Sequence, residues 1–120
     1  MTRKLPIGSI IGKVWGTTQA IFQNEATEVQ ILTVKKGWQC SEHAHLHKQN
    51  RFYVISGQLK VRVFKDGLED ETILNAGEMT DVNLRDRHQF IALTDCRLIE
   101  IYWVCLDPDD IERHSKGGKS

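Results

Sequence analysis

Along this chain of 120 residues, apolar side chains fall in short runs or alternate with polar ones. The repeat is two residues, not the roughly 3.6 of an amphipathic helix. A strand turns successive side chains to opposite faces, so the pattern calls for β-strands with one face buried. The strands it predicts cover 14–22, 28–34, 38–47, 51–56, 58–64, 71–74, 79–82, 88–93 and 97–104. Turn-forming pairs separate most of them: Asn24-Glu25, Lys36-Gly37, Ser56-Gly57, Asp66-Gly67 and Asn75-Ala76-Gly77. So many short strands in one chain suggest an all-β sandwich or barrel, because closure removes sheet edges that would otherwise pair with other chains. One helical turn is expected near the end, with Asp107 as cap and Pro108 at the first helical position. Residues 114–120 lack apolar side chains and read as a flexible tail on a single domain spanning 1–120.

Charge narrows the partners. Sixteen Lys and Arg balance sixteen Asp and Glu, so the basic excess of a nucleic-acid binder is missing. No apolar stretch is long enough for a membrane span, and Met1-Thr2-Arg3-Lys4 is not followed by a signal-type apolar segment. A cytoplasmic location is expected. Cys40, Cys96 and Cys105 are widely spaced and contain no Cys-x-x-Cys pair, which suits small apolar strand residues rather than disulfides or a zinc knuckle. A homodimer is also expected, because Cys40, Ala44 and Leu46 alternate on one face that a small domain has little means to cover.

The histidines carry the chemistry. His43, His45 and His47 are two residues apart, which on a strand points all three imidazoles the same way. They are either solvated residues on an outer face or a polar lining. Cys40, Ala44 and Leu46 on the opposite face favour the lining. His88 opens a second predicted strand, and imidazoles from two strands of a small barrel can converge on one divalent metal.

The spacing of Gly37, His43, His45, Asn50 and Gly57 resembles the first motif of the cupins, with asparagine where glutamate is usual. Gly77, Asn83, Arg85 and His88 resemble the second motif; its histidine is kept, while its proline and second glycine are replaced. Further segments are similar to the mannose-6-phosphate isomerase branch of cupins, the type II phosphomannose isomerase-like domain. These are Lys13-Val14-Trp15-Gly16, Ile31 to Gly37, Val54-Ile55-Ser56-Gly57, Leu98-Ile99-Glu100-Ile101 and Asp109-Asp110-Ile111-Glu112-Arg113. The branch's Tyr-Gly-Arg ending is replaced by Lys116-Gly117-Gly118.

The resemblance implies a double-stranded β-helix, or jelly-roll, barrel that holds a divalent metal in its mouth. It implies His43, His45 and His88 as ligands with Asn50 in fourth place; His47 and Gln49 are alternatives for that place. Zinc, manganese, iron and nickel all suit such a donor set. The implied activity is a sugar or sugar-phosphate isomerase or epimerase, with a small polar or sugar-like molecule as partner. Glu100 and His47 are the candidate bases, and Arg85, Arg113 and Lys48 the candidate substrate cations. Two other readings stand beside it: a cupin that binds a ligand or forms a structural dimer without turnover, and a three-histidine iron dioxygenase.

Overall fold

The computed structural model describes residues 6–104, 109–110 and 112–119. Its strands are β1 (Ile10–Lys13), β2 (Gly16–Gln23), β3 (Thr27–Val34), β4 (Gln49–Ser56), β5 (Leu59–Lys65), β6 (Leu68–Leu74), β7 (Met79–Val82), β8 (Arg87–Ala92) and β9 (Cys96–Trp103). A six-stranded sheet has the order β1-β2-β3-β9-β4-β7, and a three-stranded sheet the order β6-β5-β8. Every strand pairing is antiparallel. The all-β, jelly-roll expectation holds.

The period-two alternation decides which side chains meet between the sheets. On β4, Asn50, Phe52 and Val54 are buried, while Arg51 and Tyr53 between them keep partial exposure; on β9, Cys96, Leu98, Glu100 and Tyr102 do the same. Residues paired across an antiparallel ladder share a face. The register therefore lays out rows across β3, β9 and β4: Glu28, Tyr102 and Asn50; then Gln30, Glu100 and Phe52; then Leu32, Leu98 and Val54. From the smaller sheet, Leu59, Val61, Leu74, Phe90 and Ala92 join the apolar rows to complete the core. Removing such side chains from water supplies most of the driving force for folding. The β4–β5 turn seats directly on the β8–β9 turn. Gly57 has φ +84°, and a Cβ there would sit 2.1 Å from Asp95 O, so only glycine fits.

Several local expectations change. Residues 14–22 are not one strand, because β1 and β2 form a hairpin with Lys13 opposite Gly16 and Val14-Trp15 at its tip. Residues 38–47 make only isolated bridges, Gln39 to Ile91 and His43 to His88, before a bend at Leu46 and His47. Alternation was a sound guide only where the chain stayed extended. Cys40 is consequently in the core, whereas Ala44 and Leu46 are exposed, and the three do not form one face. Cys40, outside any strand, and Cys96, on β9, are buried free thiols whose burial pushes both up to about 11. The helical turn expected at Asp107 and Pro108, and Cys105 with it, lie outside the described residues. Residues 112–119 are exposed and carry neither strand nor helix. Among the described residues, no helix is long and apolar enough to cross a membrane.

Candidate metal centre

His43 and His88 face each other across a two-bond bridge, His43 N to His88 O at 3.0 Å and His88 N to His43 O at 2.8 Å. The bridge ties the 40–43 segment to β8 and brings the two rings to a centroid separation of 4.5 Å. His45 is anchored independently, its carbonyl accepting from Arg85 N at 2.8 Å. Its ring lies 5.0 Å from that of His43 and 5.3 Å from that of His88. One ligand atom from each imidazole lies within 4.8 Å of the other two. Three imidazole nitrogen donors from two segments thus lie close enough together to share one cation.

Tautomers follow from the hydrogen bonds. His43 Nδ1 lies 2.8 Å from Ser41 O, and His88 Nδ1 lies 3.0 Å from Asp86 O. A carbonyl only accepts, so in both rings Nδ1 carries the hydrogen and Nε2 keeps its lone pair, the arrangement found behind metal-bound imidazoles. Nε2 of His45 and of His88 are buried and have no hydrogen-bond partner among the described residues. Leaving a buried polar atom unsatisfied costs about 1–3 kcal/mol, and two such atoms beside a third imidazole are what a cation would satisfy. Protons do not fill the gap. Burial, with Lys48, His43 and His88 nearby, lowers His45 to about 4. Burial also lowers His88, with His43 adding to the effect against a contrary pull from Asp86. Both are therefore neutral donors at neutral pH, as ligation requires.

Behind the imidazoles lies a buried polar row. Asn50 Nδ2 donates to Glu100 Oε2 at 3.1 Å, and the Tyr102 hydroxyl also hydrogen-bonds the Glu100 carboxyl. Desolvation pushes Glu100 up to about 7, although these hydrogen bonds and Lys48 pull it down. The carboxyl therefore exchanges its proton near neutrality. A glutamate in place of Asn50 would set carboxyl against carboxyl, whereas the amide supplies a donor. Tyr102 links this row to the surface: its ring packs edge-on against His45 at 5.2 Å and carries Lys48 Nζ at 3.8 Å from its centroid. Beside the centre opens a cavity of about 250 Å³ whose lining includes Thr18, Gln30, Ser41, His43, Glu100 and Tyr102.

The structure thus gathers His43, His45 and His88, and joins Asn50 to Glu100 one row away. Glu100 is not within the group of metal-competent ligand atoms. His47 follows the bend and is exposed. Gln49 pairs with Trp103 on β9 and so faces away from Asn50. Arg85 is exposed and sits at φ +67°, the left-handed region where the family motif has glycine. Arg113 is exposed within 112–119. Sequence reasoning passed over Ser41 and Asp86, whose contribution is a backbone carbonyl and leaves no residue-type signal. Tyr102 also belongs to the site, because the period of β9 places it on the face of Glu100.

Two stacked antiparallel sheets with imidazoles converging between them define a cupin. Residues 7–116 match the family of mannose-6-phosphate isomerase C-terminal domains, and the chain belongs to that family. Solved structures share the fold at low identity. KdgF from Halomonas sp. is 16% identical with a TM-score of 0.72, over 82% of this chain and 88% of that one. Oxalate decarboxylase from Lactobacillus farciminis is 17% identical with a TM-score of 0.73, over 85% of this chain and 31% of that one. CapF from Staphylococcus aureus is 21% identical with a TM-score of 0.69, over 85% of this chain and 32% of that one. The chain therefore spans about a third of the latter two proteins. No curated protein matches the sequence significantly.

Proposed function

We propose that this cupin binds a divalent cation through His43, His45 and His88 and receives a sugar-like, polyhydroxylated molecule in the adjoining cavity, where it acts as an isomerase or epimerase. The observation that carries the metal is the pair of buried, partnerless Nε2 atoms on His45 and His88. Asn50 Oδ1 is the candidate for a fourth position, since only its Nδ2 is engaged by Glu100. Bound there, a divalent cation supplies Lewis acidity toward a carbonyl or hydroxyl oxygen. Zinc, manganese, iron and nickel remain eligible on donor type; a related fold in Bacillus subtilis oxalate decarboxylase has Mn(II) centres.

The proton chemistry of an aldose–ketose exchange needs a group that takes a proton from one carbon and returns it to the next. Glu100 suits this because its carboxyl, raised to about 7 by burial, is populated in both forms near neutral pH. Tyr102 and Asn50 hold it in place, and the cavity lining includes it. Thr18, Gln30 and Ser41 offer hydroxyl and amide groups suited to a polyol. Elemental analysis of the purified protein, then sugar-phosphate turnover after reloading the metal found, tests the reading. Oxygen uptake with iron would instead point to a dioxygenase.

A second reading has its own support. The Glu100 carboxyl already meets both Asn50 and Tyr102, a satisfied arrangement that also suits a cupin holding a ligand without turnover. A filled metal site, a bound ligand and no product would favour it.

A further inference from the structure

The larger sheet has a second face, turned away from the smaller sheet. Because paired residues share a face, the register lays one row across all six strands: Ile10, Gln19, Ile31, Ile99, Tyr53 and Met79. The row beside it holds Phe22, Val29, Ile101, Arg51 and Asp81. Along β3, β4 and β9 these residues alternate with the ones that form the core, so both rows point outward. Phe22 belongs to them through a bulge. Between Ala20 and Phe22 the register of β2 shifts, which turns Phe22 away from the face of buried Ala20 and leaves it 48% exposed. Ile10 and Met79, at the two ends of the first row, are 69% and 51% exposed, and the residues between them keep partial exposure. A contiguous apolar face of this kind marks an interaction surface.

What covers it follows from charge, shape and size. The row from Ile10 to Met79 holds no charge, and the second row holds one ion pair, Arg51 Nε to Asp81 Oδ1 at 2.6 Å. The face is therefore neutral, which suits another neutral surface and gives a polyanion nothing to hold. Beside the ion pair, the Arg51 guanidinium lies 5.4 Å from the centre of the Trp103 ring, and Thr27, Arg51, Ile101 and Trp103 line a recess of about 330 Å³. Phe22 stands two strands away from Ile101, about 10 Å. The same face thus carries a knob and a hole. A twofold axis between them sets each copy's Phe22 opposite the other copy's recess, as an isologous contact requires.

The rows and the recess occupy roughly 24 Å across the strands by about 20 Å along them, on the order of 500 Å² before side-chain relief is added. A standard interface takes about 800 Å² from each partner, so this face with its rim approaches what a dimer needs. A strap of the same chain does not fit. The stretches outside the described residues are at most five residues long, and at roughly 3.5 Å each five extended residues fall short of the sheet's width. Residues 112–119 are themselves exposed.

We propose that two copies of this chain pair through the outer face of the six-stranded sheet, with Phe22 of each seated against Thr27, Ile101 and Trp103 of the other. The contact leaves Cys40, Ala44 and Leu46, which share no face, and moves to the back of the sheet whose inner side bears Asn50 and Glu100. None of the three histidines takes part.

Sedimentation equilibrium of the full chain between 1 and 100 µM tests it. The wild type is expected at twice the mass of the chain, with a dissociation constant below about 10 µM. Phe22→Glu places a charge where the dimer would bury it and should weaken pairing at least a hundredfold, with wild-type circular dichroism, since Phe22 is half exposed in the single chain. Met79→Lys, at the far edge of the same face, should weaken it at least tenfold and serves as the reading should Phe22→Glu fail to fold. Leu68→Glu changes a side chain of the smaller sheet that is 75% exposed and should pair as the wild type does. A wild type that is monomeric at 100 µM would overturn the proposal and leave the face to a different protein. Pairing of wild-type strength in folded Phe22→Glu would overturn it too, as would dissociation of Leu68→Glu, which would put the contact on the smaller sheet.

Discussion

The two ends of the barrel interior are built by the same strands from opposite chemistry. Toward one end the facing rows are Leu32, Leu98 and Val54, with Leu59, Phe90 and Ala92 from the smaller sheet. Toward the other they are Glu28, Tyr102 and Asn50, then Gln30 and Glu100, with His88 from the smaller sheet. On β4, β8 and β9 the change takes a single inward step: Asn50 to Phe52, His88 to Phe90, Glu100 to Leu98. The apolar end stabilises the fold without conditions. At the polar end buried groups are desolvated, and the Nε2 atoms of His45 and His88 remain without hydrogen-bond partners among the described residues. The comparison teaches that the barrel's stability and its chemistry are separated by about two residues of each strand, roughly 7 Å.

Breaking the apolar end should cost the most. Leu98→Ala is expected to destabilise the protein by about 2–5 kcal/mol, the usual range for a fully buried leucine, measured by urea unfolding. Metal affinity of the folded fraction should stay within a few-fold of wild type, and a large loss of affinity would show that the two ends are not separable.

Breaking the polar end should do the reverse. His88→Ala removes one of three donors and is expected to weaken divalent metal binding at least a hundredfold, about 2.7 kcal/mol. The rise in melting temperature on adding metal should vanish with it, because a ligand of the native state alone stabilises by mass action. Equal metal content in the variant and wild type would remove His88 from the site.

The pH response sharpens the contrast, since the buried groups shifted within the acid-to-neutral range, Glu100 and His45, belong to the polar end. Glu100 is raised in the folded protein from 4.5 to about 7, chiefly by desolvation, so its contribution is fully present below about 4.5 and is lost as pH rises through about 7. In the metal-free protein Glu100→Gln should therefore be the more stable form near pH 8, by about 1–3 kcal/mol, and the gap should close toward about pH 5. His45 has the opposite sign. Lowered from 6.5 to about 4, it contributes fully above 6.5, and that contribution is lost as pH falls toward about 4. Acid should consequently expose a loss of stability in Glu100→Gln that the wild type partly masks. Parallel stability profiles for the two proteins between about pH 4 and 8 would contradict the assignment.

The smallest effect concerns backbone strain beside the centre. Arg85 sits at φ +67° while its N–H holds the His45 carbonyl, and a left-handed residue with a Cβ costs about 1–2 kcal/mol. Arg85→Gly should relieve it, less the extra freedom glycine gains when unfolded, for a net gain of about 0.5 kcal/mol. Thermal unfolding measures the gain, and a loss would mean that the arginine side chain contributes packing of its own.

Local chemistry settled much of this protein in advance. Period-two alternation and turn residues were enough for the antiparallel strands β3, β4, β5, β7, β8 and β9, because each face of a strand responds to the core one residue at a time. The histidine repeat marked His43, His45 and His47, and the resemblance to the cupin motifs implied His43, His45 and His88 as the ligand set. Tertiary structure alone decided which side chains share the site. His47 continued the sequence repeat yet left the site at the bend of Leu46 and His47, since alternation has meaning only while the chain is extended. Asn50 and Glu100 met because Asn50 pairs with Tyr102 and Phe52 with Glu100, a register set between strands about fifty positions apart. Lys13 came to line the cavity beside the centre only because Gly16 let its hairpin close against β3. Contacts between distant strands depend on register and closure, which no short stretch of residues encodes by itself.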